Sequence, residues 1–236
     1  MDVIAFDADD TLWHNERLYI DAQTKFTRLL AAYHPAEWVN ERLNQTEARN
    51  IEHFGYGIKS FALSMIETAV ELTEGRISGR DIQAIVDLAK EMLNSPVELL
   101  PYVKETILAL AARYPLMVIS KGDLLDQETK IARSGLGDYF QAVEIVSEKD
   151  SGSYARVLKR HAIEPGVFLM VGNSLPSDIL PVLELGGSAV YIPYETVWVH
   201  EAGRLSPAER PGYYVLAHMG ELAALLERLE ANEGVG

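Results

Sequence analysis

The sequence predicts an α/β protein, a doubly wound parallel-sheet core into which an all-helical subdomain is inserted. Three observations predict it. Short apolar runs bounded by polar or turn residues recur at "VIAF" (3–6), "LMVIS" (116–120), "VFLMVG" (167–172) and "AVYIP" (189–193), the pattern of strands buried on both faces. Helical patterns separate these runs. Residues 15–96 break the alternation, with four amphipathic helix patterns and no convincing strand among them.

Taken in order, "VIAF" is the first strand and runs straight into "DADD". The helical stretch follows: "ERLYIDAQTKFTRLLAAY", "AEWVNERLNQTEARNIEHF", "IKSFALSMIETAVELTEG" and "GRDIQAIVDLAKEMLNSP". "SPVELLPYV" reads as the return linker, punctuated by Pro96 and Pro101. Beyond it, "LLDQETKIARSGL" follows the second strand and "SYARVLKRHAI" precedes "VFLMVG", after which comes "LPSDILPVLELG". "AVEIV" (142–146) and "YYVLA" (213–217) are weaker strand candidates. "GELAALLERLE" places Leu222, Leu225, Leu226 and Leu229 at helical spacing, ahead of a glycine-rich tail. The expected domains are a core of residues 1–14 and 97–236 and a helical subdomain of residues 15–96.

Composition narrows the partners. The chain has 236 residues, 48% of them apolar, enough for a real core. Its net charge of −14, from 35 acidic and 21 basic residues, disfavours nucleic acid or an anionic membrane as a partner. There is no cysteine, which excludes disulfides, thiolate metal sites and cysteine nucleophiles. "MDVIAFDADD" lacks a basic leader pattern, and no apolar run approaches the roughly 18 residues of a membrane span. A soluble cytoplasmic protein is expected, and the sequence leaves monomer and homodimer equally open.

In open parallel sheets, ligands sit beyond the carboxyl ends of the strands. Those ends carry Asp7, Asp9, Asp10 and Thr11 after the first strand and Ser120, Lys121 and Gly122 after the second. Asn173, Ser174 and Asp178 follow "VFLMVG", and Lys149 follows "AVEIV". Carboxylates, an amide, a hydroxyl and an amine at one sheet edge suit a magnesium ion and a phosphate, since hard cations take oxygen ligands. With that balance of charge an aspartate can attack phosphorus and form an aspartyl-phosphate. A second carboxylic acid two residues along can move the proton.

"FDADDTLW" resembles the DxDx[TV] signature of the haloacid dehalogenase (HAD) superfamily. A Ser after an apolar strand, an isolated Lys and "GNSLPSDI" follow in the superfamily's order, and the helical insert looks like its C1 cap. The run from "GNSLPSDILPVLELG" to "VYIPYETVWVHE" looks like a branch of the HAD hydrolases. The resemblance implies that Asp7 is nucleophile and metal ligand, and that Asp9 is general acid/base with its backbone carbonyl facing the metal. It makes Thr11 and Ser120 phosphate ligands, has Gly122 keep that loop open, and gives charge neutralisation to Lys149, with Lys121 as the rival cation. Asp178 completes the metal site, directly or through water. Asn173 departs from the pattern: the superfamily usually has a carboxylate there, so the second protein ligand loses a charge.

Other features carry less chemistry. Asp10 reads as a turn or helix cap rather than a reacting group. In "HFGYGIKSF" (53–61), Gly55 and Gly57 call for unusual torsions, and Tyr56 and Lys59 are candidates to touch substrate. Trp13 and Trp198 read as packing residues, and the six histidines show no metal spacing. The resulting expectation is a magnesium-dependent phosphatase acting on a small phosphorylated metabolite. A 2-haloacid dehalogenase, a phosphomutase and a ligand-binding protein that has lost catalysis are the alternatives. Asp9 argues against dehalogenation, which needs only the first aspartate; Asn173 tilts the other way.

Overall fold

The computed structural model describes residues 1–195 and 210–233, so Trp198 and the glycine-rich tail lie outside the described residues. The chain divides into two compact units: Met1–His14 with Val97–Lys121 and Glu128–Gly236, and Asn15–Pro96 with Gly122–Gln127.

The first unit is built on six parallel strands, β1 (Val3–Phe6), β2 (Leu116–Lys121), β3 (Ala142–Val146), β4 (Phe168–Gly172), β5 (Ser188–Tyr191) and β6 (Tyr213–Val215). Their order is β3-β2-β1-β4-β5-β6. The chain therefore lays β2 and β3 on one side of β1 and β4 to β6 on the other, which makes the carboxyl end of β1 the switch point where a ligand crevice opens. Phe6 is in register with Val118 of β2 and Val171 of β4.

The alternation along β1 feeds two apolar layers. Ile4 and Phe6 join a cluster with Val103, Ile107 and Leu110 of α5 (Val103–Ala111), Ile131 of α6 (Leu124–Ser134), and Leu222, Leu225 and Leu226 of α9 (Leu222–Glu233). Ala5 faces the opposite layer, with Tyr154, Val157 and Leu158 of α7 (Ser151–Arg160) and Val182 of α8 (Leu180–Glu184). The central strands are covered on both faces, which is why they read as unbroken apolar runs.

α5 is absent from the sequence reading, which ends its linker at Val103. Tyr102, with φ 67°, turns the chain sharply into a short helix that packs Val103, Ile107 and Leu110 on the sheet. "LPSDILPVLELG" also differs from one continuous helix: a π-helical turn (Leu175–Ile179) precedes α8. The terminal strand is shorter than "YYVLA", ending at Val215.

The second unit holds α1 (Glu16–Leu29), α2 (Ala36–Phe54), α3 (Ile58–Leu72) and α4 (Gly79–Asn94). Phe26, Val39, Leu43, Phe61, Met65 and Ile85 are among the residues of its own apolar core. Ser78 caps α4, accepting from the Asp81 N–H at 3.1 Å. Gly55 and Gly57 have φ of 71° and 114°, torsions that side-chain-bearing residues rarely adopt, and they turn α2 into α3.

Candidate active site

The end of β1 is a closed turn. Leu12 N–H donates to the Ala8 carbonyl at 2.8 Å, and Asp10 N–H donates to the Trp13 carbonyl at 2.7 Å. Asp10 takes φ 60°, a left-handed conformation that Asp tolerates better than most residues, so it serves the turn. The Leu100 N–H donates to the Leu12 carbonyl at 3.0 Å, tying the far side of the turn to the returning chain.

This turn faces the end of β4, and the polar side chains meet there. Thr11 Oγ1 lies 3.1 Å from Asp7 Oδ2 and 3.1 Å from Asn173 Oδ1. Lys149 Nζ donates to an Asp7 carboxylate oxygen and, at 2.7 Å, to Asp178 Oδ1. Asp178 Oδ2 accepts the Ser174 N–H at 2.9 Å, and the Ser174 side chain caps the π-helical turn that carries Asp178. Gly172 makes room for this: a Cβ there would lie 2.3 Å from Asp178 Oδ2.

Asp7, Lys149 and Asp178 are all buried, and the charges do not balance. Burial pushes Asp7 up to about 7 against the pull of Lys149, and Asp178 and Asp9 push the same way. Burial opposes the Lys149 ammonium too, but Asp178, Asp7 and Tyr154 outweigh it and hold the amine well above its ordinary range. One ammonium between two buried carboxylates leaves the cluster short of positive charge.

A hard divalent cation fits that deficit and the donor chemistry, because Asp7, Asn173 and Asp178 all offer oxygen. Among the described residues no three His, Cys, Asp or Glu side chains group to hold a metal ion. The side chains that could offer oxygen to a cation at this point are two carboxylates and one amide.

Ser120 and Lys121 close β2 next to β1. Ser120 is buried, and Lys121 Nζ lies 3.3 Å from Ser177 Oγ on the π-helical turn. The amine that reaches Asp7 is Lys149, while Lys121 stands beside the turn that carries Asp178. Gly122, with φ 138°, opens the segment that belongs to the helical unit. Within that unit Lys59 Nζ pairs with Asp123 Oδ1 at 2.9 Å, and Gly57 packs against Asp123. Tyr56 lies in the same α2–α3 turn.

Asp9 has partners that sequence reasoning missed. Trp13 Nε1 donates to Asp9 Oδ1 at 2.8 Å, so the tryptophan packs in the core and also anchors a carboxylate. Lys130 Nζ, on α6, lies 2.8 Å from both Asp9 oxygens. A lysine on an amphipathic helix gives no local signal for such a role.

A doubly wound parallel sheet that gathers carboxylates, a hydroxyl and one buried lysine beyond the carboxyl ends of its strands is an α/β protein with a polar site at its switch point. The family model for haloacid dehalogenase-like hydrolases matches residues 1–186, and the chain belongs to that family. It is similar to the 5-amino-6-(5-phospho-D-ribitylamino)uracil phosphatase YigB of Escherichia coli K12, with 25% identity over 202 residues, 80% of this chain and 82% of YigB. A crystal structure of a haloacid dehalogenase-like family hydrolase from Xanthomonas campestris superposes with a TM-score of 0.88 at 42% identity, over 99% of this chain and 94% of that one. The fold also resembles the 2-haloacid dehalogenase of Pseudomonas syringae pv. tomato, with a TM-score of 0.66 at 19% identity, over 97% of this chain and 99% of that one. Among the described residues no helix is long and apolar enough to cross a membrane.

Proposed function

We propose that this hydrolase is a magnesium-dependent phosphatase of a small phosphorylated metabolite in the cytoplasm, working through an aspartyl-phosphate. The observation that carries the reading is the pairing of Asp7, held by Lys149, with a second carboxylate two residues along at Asp9. Dehalogenation needs a carboxylate nucleophile but no second acid, so Asp9 favours phosphoryl chemistry. The similarity to YigB, named a phosphatase, points the same way, and its phosphorylated ribitylamino-uracil is the first natural compound to assay.

In this reading Asp7 attacks phosphorus while Asp9 gives a proton to the departing oxygen. Asp9 then takes a proton from the water that cleaves the phosphoryl group from Asp7. Thr11, Ser120 and Lys121 hold phosphoryl oxygens, with Gly122 leaving space for them, and Lys149 offsets the charge shared by Asp7 and the phosphoryl group. Tyr56 and Lys59 contact the remainder of the substrate. Asp7, Asn173, Asp178 and the Asp9 carbonyl would hold magnesium, which supplies positive charge to draw a dianion towards a carboxylate.

The test is p-nitrophenyl phosphate hydrolysis with magnesium and with EDTA, for wild type, Asp7→Asn and Asp9→Asn. Activity that requires magnesium and is lost in Asp7→Asn supports the proposal. Release of chloride from 2-chloropropionate, with no phosphate release, would overturn it.

A further inference from the structure

Asp9 is gripped from two directions. The Trp13 indole N–H is fixed by a fully buried ring whose backbone bridges to Leu99. The Lys130 ammonium arrives from α6 with its side chain only 14% exposed and reaches both carboxylate oxygens. A carboxylate held at both oxygens from a packed ring and a helix has lost its freedom to rotate. Proton transfer requires such fixing, since an error of a fraction of an ångström in the donor–acceptor geometry is costly.

We infer that Lys130 and Trp13 are positioning residues that hold Asp9 in the orientation from which it takes the proton of the hydrolytic water. The inference rests on the phosphatase reading and deepens it. In the step concerned, water oxygen forms a bond to phosphorus and its proton passes to the Asp9 carboxylate. The bond from phosphorus to Asp7 breaks, its electron pair returns to the Asp7 carboxylate, and inorganic phosphate leaves. Lys130 touches neither water nor phosphoryl group in this account; it acts through Asp9.

p-Nitrophenyl phosphate separates the two halves of the reaction. Its leaving group departs without a proton, so only the second half depends on Asp9. With Lys130→Met, kcat is expected to fall about tenfold or more while kcat/KM stays within about threefold, because KM falls with kcat as the phosphoenzyme accumulates. Rapid mixing should show a burst of p-nitrophenolate approaching one equivalent of enzyme, and mass spectrometry should place the phosphoryl group on Asp7. Lys130→Arg, which can still donate to both oxygens, should recover most of kcat. Trp13→Phe should show a weaker form of the same burst.

A parallel fall in kcat and kcat/KM without a burst would overturn the inference and assign Lys130 to support of the fold or of the first half-reaction. If Lys130→Met is unfolded by circular dichroism, the same comparison on Lys130→Gln decides it. Wild type without any magnesium-supported hydrolysis overturns the phosphatase reading and this inference with it. Active wild type with no burst in the variant overturns this inference alone.

Discussion

Gly172→Ala places one methyl group where the structure has no room for it. The added carbon would lie 2.3, 2.4 and 2.5 Å from Oδ2, Cγ and Cβ of Asp178, so the whole carboxymethyl group must retreat by about 1 Å to reach ordinary contact. Asp178 is 1% exposed and held by Lys149 at 2.7 Å and the Ser174 N–H at 2.9 Å. A displacement of that size takes both hydrogen bonds beyond useful range. Overpacking costs about 1–3 kcal/mol and a weakened charge-assisted bond adds roughly 1 kcal/mol, giving about 2–4 kcal/mol in all. At roughly 2–4 °C per kcal/mol for a chain of this size, Tm should fall by about 4–16 °C.

The assay is urea unfolding followed by circular dichroism, with p-nitrophenyl phosphate turnover measured alongside. Turnover should fall at least about tenfold, because Asp178 and Lys149 move together. Gly166→Ala is the control, since a Cβ there meets nothing within 4 Å, and it should change stability by less than about 0.5 kcal/mol. A Gly172→Ala protein as stable and as active as wild type would refute the close approach of β4 to Asp178.

Lys149→Met leaves Asp7 and Asp178 facing each other without a cation; a loss of about 3 kcal/mol in urea unfolding at neutral pH and turnover below detection are expected. Glu144 is pushed up by burial but drawn further down by His161 and Arg160, so its folded value lies below its ordinary 4.5. The ionised form therefore stabilises the fold above pH about 4.5, and that contribution is lost as pH falls through the lowered folded value. Glu144→Gln should cost about 0.5–1 kcal/mol at pH 7, Arg160 being largely exposed, and the gap to wild type should close as urea unfolding is repeated at falling pH.

Strands buried on both faces were legible because their environment demands unbroken apolar residues. The cluster Asp7, Thr11, Lys149, Asn173 and Asp178 was legible because polar groups at strand ends have a fixed place in an open parallel sheet. α5 was hidden by what precedes it: Pro101 and Tyr102 look like a linker until Val103, Ile107 and Leu110 are seen on the sheet. The role of Gly172 depends on the approach of a side chain six residues later, and no local pattern encodes that distance. Lys130 is further still from local reading, since its partner is separated by 121 positions along the chain. Trp13 was read as packing, which its burial supports, but burial is silent about where the indole N–H points.

Asn173 is where charge and geometry part company. Its Oδ1 stands 3.1 Å from Thr11 Oγ1, as Asp7 Oδ2 does, so the amide oxygen has a carboxylate oxygen's place without the charge. Two carboxylates already share one buried ammonium, and a third would repel them in the absence of a cation. With magnesium bound, the same charge would be attractive. Asn173→Asp should therefore lower Tm in EDTA, raise it in saturating magnesium, and lower the magnesium concentration at half-effect by about tenfold, some 1.4 kcal/mol. Thermal melts across a magnesium titration measure all three without requiring turnover. If the midpoint for magnesium is the same in both proteins, Asn173 does not face the cation, and Asp7, Asp178 and the Asp9 carbonyl with water must hold it.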